Sequence, residues 1–117
     1  MAVGLGLLDA LRADAAVNGW LSWRGPAQNG TSLETGLPDK DAAKEALWTA
    51  DFPGQSAPVI ANGKLYLMGY LGEGPDLQEV VRCFDAETGQ VLWEHRECDF
   101  LSDTVYLRYA TSSPTVD

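Results

Sequence analysis

Basic residues are scarce in this chain: 8 Lys and Arg stand against 17 Asp and Glu, a net charge of −9. A surface of that sign repels phosphate backbones and anionic lipid, which argues against a nucleic-acid partner. Two cysteines are too few for a disulfide framework. One histidine, with no Cys/His cluster at zinc spacing, leaves no structural zinc motif. No apolar run is long enough to cross a bilayer as a helix. No glycine-rich loop leads into a helix to cradle a phosphate. After Glu45 no segment carries a convincing helical period, and that absence turns attention to strands.

Strand chemistry is plentiful. Pro58-Val59-Ile60-Ala61, then Asn62-Gly63, then Lys64 to Tyr70 reads as a hairpin. Asn-Gly supplies the positive φ angles of a type I′ turn, whose twist suits the flanking strands. Pro58 fits the first position of a strand, where its missing N–H costs least. Leu71 to Gln78 is a loop with two glycines and a proline. Glu79–Asp85 and Gln90–Glu94 form the arms of a second hairpin around Glu87-Thr88-Gly89. Strands are therefore expected near 46–50, 58–61, 64–70, 79–85, 90–95 and 114–117. Leu65-Tyr66-Leu67-Met68 and Val91-Leu92-Trp93 are apolar on both faces, as expected for sheets packed between two neighbours.

Before the strands, residues 18–45 read as an irregular lead-in rich in Gly, Pro, Asn, Ser and Thr, with at most a helical turn at 41–45. Residues 1–17 support two readings. Met1 to Leu8 is apolar and Ala13-Asp14-Ala15 has the small-x-small form of a signal-peptidase site, which suggests a clipped signal peptide. The lack of an early basic residue and the interruption at Asp9 suggest instead a short amphipathic helix from Leu5 to Leu11. Asn29-Gly30-Thr31 fits a glycosylation sequon, a short pattern of low specificity.

Parts of the chain repeat. Leu47-Trp48 precedes Ser56-Ala57-Pro58, and Leu92-Trp93, 45 residues on, precedes Ser112-Ser113-Pro114. A period near that length is what a four-stranded propeller blade needs. Between Trp and Ser-x-Pro the second copy is 11 residues longer. Its insert holds Asp99, Phe100, Asp103, Tyr106, Arg108 and Tyr109. Elaborated loops on repeat scaffolds often carry binding groups, although the same loop could serve as a packing flap.

With these motifs the chain resembles the PQQ-like β-propeller repeat family. The family's tryptophan-docking motif falls on Cys83, Asp85, Thr88, Gly89 and Trp93, with Cys83 where alanine is usual. In that family the indole packs between blades, against a small side chain and a glycine peptide. Trp20-Leu21-Ser22-Trp23-Arg24-Gly25-Pro26 is similar to the opening signature of secreted bacterial members. The resemblance covers roughly residues 18–117. It implies an all-β propeller piece, with a full four-stranded antiparallel blade near 58–95 and the next blade starting near 113. A propeller of several blades runs to roughly 250–400 residues, so these 117 residues read as the N-terminal part of a longer protein that needs its other blades. The resemblance also implies a periplasmic or secreted location.

Within this reading Asp85 and Thr88 are turn formers and not catalytic groups: Asp caps backbone N–H groups and Thr-Gly closes the turn. Trp48 and Trp93 are core candidates, and His95, among Glu94, Arg96 and Glu97, sits on a charged outer strand. The expected function is a non-enzymatic scaffold that binds a protein or polymer partner, with Asp76, Asp103, Tyr106 and Arg108 as candidate contacts. No metal or cofactor is expected. A PQQ-dependent dehydrogenase, with PQQ and calcium, is the rival, and a sensor domain fused to a kinase or other effector is a third reading. Cys83 and Cys98 are expected unbridged, because a register pairing Cys83 with Leu92 sets the sulfurs about 15–20 Å apart.

Overall fold

The computed structural model describes residues 18–36, 46–98 and 111–116. The described residues are all-β apart from one short 3-10 turn at Gly74–Asp76. Five strands form one open antiparallel sheet in sequence order: β1 (Gly19–Trp20), β2 (Val59–Ala61), β3 (Lys64–Leu71), β4 (Gln78–Asp85) and β5 (Val91–Glu97). The short helical turn expected at 41–45 and both readings of 1–17 lie outside the described residues.

The two hairpins form where the turn chemistry demands. Asn62 and Gly63 take φ of 49° and 74°, the pair of positive values a type I′ turn requires. That fixes Ala61 opposite Lys64 and Val59 opposite Tyr66. The β3–β4 ladder then runs without a break from Lys64 opposite Asp85 to Leu71 opposite Gln78. Being a meander, the sheet places both tight turns at one end, where the Ala86 N–H donates to the Gly63 carbonyl at 2.9 Å. The loop after Leu71 lies at the other.

Three expectations need correction. First, the lead-in is not wholly irregular: Gly19 and Trp20 pair with Ala61 and Ile60 and add a fifth strand at the free edge of β2. Second, a bulge between Cys83 and Phe84 shifts the last ladder, so that Cys83 faces Trp93 and not Leu92. Past the bulge Glu79 lies opposite Glu97, and the Gln78 amide reaches the Cys98 sulfur at 3.6 Å. Both thiols are free, five residues or about 17 Å apart along β4. Third, 46–50 and 114–116 are not strands, since neither has a partner strand among the described residues.

The stretch from Trp48 to Ser56 instead crosses the sheet. The Tyr70 N–H donates to the Pro53 carbonyl at 3.0 Å. Ser56 Oγ donates to the Met68 carbonyl and accepts from its N–H, both at 3.0 Å. These bonds occupy the part of the β3 edge that the short β2 leaves open. The Phe52 ring meets Phe84 edge-on at 6.1 Å and lies under the Arg82 guanidinium at 4.3 Å.

Alternation divides the sheet into two faces. Ile60, Leu65, Leu67, Val80, Arg82, Phe84 and Val91 share the first, which Trp48 and Phe52 cover. Val59, Tyr66, Val81, Cys83 and Trp93 share the second. The buried centre draws on both, with Val80 and Phe84 on one side and Val59, Ala61 and Cys83 on the other. Burial of apolar side chains of this size contributes about 1.5–3 kcal/mol each. Phe84→Ala is expected to cost about 3–5 kcal/mol and to loosen amide protection along the β3–β4 ladder. Ile60→Ala, at a partly exposed position of the same face, should loosen it far less, as read by hydrogen exchange.

Candidate functional site

The turn joining β4 to β5 is densely hydrogen-bonded. Asp85 Oδ1 accepts from the Glu87 N–H at 3.1 Å, the Thr88 N–H at 2.8 Å and the Thr88 hydroxyl at 2.9 Å. The Gly89 N–H donates to the Asp85 carbonyl at 2.9 Å, and the Gln90 N–H to Thr88 Oγ1 at 3.3 Å. The Thr88 backbone N–H foremost, then its hydroxyl, holds the Asp85 carboxyl below the ordinary value of 3.8. An aspartate so occupied has its acceptor sites directed into the turn, which is a structural role.

Onto this turn docks Trp48. Its indole Nε1–H donates to the Ala86 carbonyl at 3.0 Å, and its ring stacks on Phe84 at 5.8 Å and 23°. The ring lies against the Gly89 peptide so closely that a Cβ at Gly89 would fall 2.5 Å from an indole carbon. Gly89 also has φ of 72°, so conformation and contact both require glycine there. Trp48 is thus the tryptophan that the Asp85–Gly89 turn receives. Sequence spacing alone pointed to Trp93, the last residue of the motif.

Trp93 behaves differently. It faces buried Cys83, leans on Tyr66 with ring centroids 6.0 Å apart, and keeps 46% of its surface in solvent, contrary to the expectation of a core position. Burial pushes the Cys83 thiol up from its ordinary value, opposed by Lys64 and by the Tyr66 hydroxyl. Burial also raises Tyr66, with Cys83 adding to it. A buried, protonated thiol is a packing group and not a nucleophile.

The β5 surface is charged. Glu94 pairs across the strands with Arg82 at 2.9 Å and with Arg96 on its own strand. Those two guanidiniums, Arg96 first, hold its carboxyl below the ordinary value. His95 is exposed and lies 2.6 Å from Glu97. Among the described residues no group of three or more His, Cys, Asp and Glu converges as a metal site, and no helix is long and apolar enough to cross a membrane. Of the candidate partner contacts, Asp76 closes the exposed 3-10 turn at the long-loop end. Asp103, Tyr106 and Arg108 lie outside the described residues, as do Asp99, Phe100 and Tyr109. A scan against protein-family models finds no match, and searches of the curated proteins and of the solved structures find none either.

Trp48→Phe, which keeps the ring and removes the donor, is expected to cost about 1 kcal/mol, or roughly fivefold in amide protection at the turn. The Asp85 carboxyl should titrate below 3.8 when followed through the Thr88 amide by NMR. Because its pKa in the folded chain is depressed, its contribution is complete above the unfolded value and is lost as pH falls through the folded one. Titration at or above 3.8 would contradict the turn geometry.

Proposed function

We propose that the sheet is one blade of a PQQ-like β-propeller, a non-enzymatic extracytoplasmic scaffold that binds a protein or polymer partner through its long-loop face. The observation that carries the reading is the seat of Trp48 on the Asp85–Gly89 turn. Trp48 precedes one Ser-x-Pro segment and Trp93 precedes the next, so the second indole is offered to the corresponding turn of a following repeat. Half-exposed Trp93, beside Tyr66 on the second face, supplies apolar surface that such stacking would bury. The acidic balance of the chain supports a protein or neutral polymer as partner over nucleic acid.

The choice of face follows from the meander. Tight turns leave little surface at one end, whereas the 71–78 loop and the chain leaving β5 meet at the other, beside Gln78 and Cys98. Loops of that kind carry binding groups on repeat scaffolds. A photo-crosslinking residue placed at Asp76 in the full chain should capture a specific adduct in cells, and one placed at Glu87 in the opposite turn should not. With that probe in place, alanine at Asp103, Tyr106 or Arg108 should weaken the capture without lowering the melting temperature. Adducts from Glu87 alone would reverse the assignment of faces.

A further inference from the structure

The lead-in touches more than one repeat. Aligning Ser56-Ala57-Pro58 with Ser112-Ser113-Pro114 makes Ile60 and Val116 equivalent positions. Trp20 pairs with Ile60 in the β1–β2 ladder. The next carbonyl along, that of Leu21, accepts from the Val116 N–H at 3.1 Å. The two repeats also meet directly, since the Ala57 N–H donates to Ser113 Oγ at 2.9 Å, again between equivalent residues. A single extended run of the lead-in therefore lies along the free edge of β2 and along the start of the second repeat.

We propose that residues 18–22 form an axial clasp, one strand shared by the inner edges of two successive repeats, which closes the centre of the ring to ligands and incoming strands at that level. The axial location rests on the propeller reading, in which the first strand of each blade lines the central tunnel. Inner edges there present backbone N–H and C=O groups that need partners. The clasp supplies them: the Asn62 N–H donates to the Asn18 carbonyl at 2.9 Å, and the Asn18 N–H donates to Asn62 Oδ1 at 3.1 Å. Gly19 is suited to the close approach, because a Cβ there would fall 2.0 Å from the Ile60 carbonyl oxygen, at a φ of 145°. The end of the run is locked by buried Ser22, whose hydroxyl donates to the Gly25 carbonyl at 3.2 Å while the Gly25 N–H returns to Ser22 at 2.9 Å. A planar cofactor seated on the axis would have to displace this strand, so the clasp directs recognition to the loop end.

The test is amide exchange on the full chain, comparing the parent with Gly19→Val and Asn62→Gly. Gly19→Val should lower protection at Asn62 and Val116 together, by tenfold or more, and leave the β3–β4 ladder protected. Asn62→Gly keeps the type I′ turn and removes one acceptor, so it should give the same joint loss at about threefold to tenfold. It decides the matter if Gly19→Val fails to fold. Loss at Asn62 with Val116 unchanged would overturn the clasp. Exchange of the Trp93 indole N–H, read in the same spectra, reports stacking of a following repeat by itself. Fast exchange there overturns the propeller reading and with it the axial location. Slow exchange with Asn62 and Val116 uncoupled overturns the clasp alone.

Discussion

The Trp48 indole on the Asp85–Gly89 turn is the contact on which the rest of the arrangement depends, because it joins three otherwise separate pieces. The turn is set by one carboxylate oxygen that accepts three hydrogen bonds, and it holds Gly89 at positive φ. The missing Cβ lets the ring lie flat on the peptide, and Nε1 reaches the Ala86 carbonyl. Through Phe84 the same ring touches the buried centre of the sheet. Segment 46–56 is thereby drawn across the first face, where Phe52 follows. Removing the glycine, the aspartate or the indole would disturb the same local structure from three directions.

Both hairpins were legible in the sequence because each depends on a two- or three-residue signal with a local cause. Asn62-Gly63 needs nothing beyond its own φ preferences, and Asp85 bonds to residues two and three positions away. What the sequence did not reveal depends on distant partners. β1 is two residues long and exists because Gly19 can approach Ile60, 41 positions away. The bulge at Cys83 and Phe84 is a property of two strands together, and it moved Trp93 into the place assigned to Leu92. For the candidate site, the motif residues of the turn were identifiable, but which tryptophan occupies it was not. A docking indole comes from 41 residues before Gly89, whereas the motif's spacing names the one four residues after it.

The two faces of the sheet are treated unequally. The first is covered by the chain's own aromatic residues, and the ion cluster of Arg82 with Glu94 and Arg96 lies beside the Phe52 ring. The second holds buried Cys83 and Val59 at its centre and grades outward to Tyr66 and half-exposed Trp93. Under the propeller reading proposed above, that half-exposed rim is where a following repeat would pack, at the ~10 Å spacing of stacked sheets. The raised Cys83 thiol and Tyr66 hydroxyl belong to the same gradient, since both respond first to burial.

The edges follow the same logic. An open sheet has two, and each is a template for unwanted pairing. At β5 the edge carries Glu94, His95, Arg96 and Glu97, whose polar groups are paired within the strand or with Arg82, so an approaching strand meets hydrated side chains. At β2 no comparable run of charge is present: Val59, Ile60 and Ala61 are apolar. There the chain spends a segment of backbone, and β1 lies where a foreign strand would add. An apolar edge closed by the chain itself and a charged edge left open are two solutions to one problem. Their placement at opposite sides of the sheet makes its two edges chemically unlike, one apolar and closed, the other charged and open.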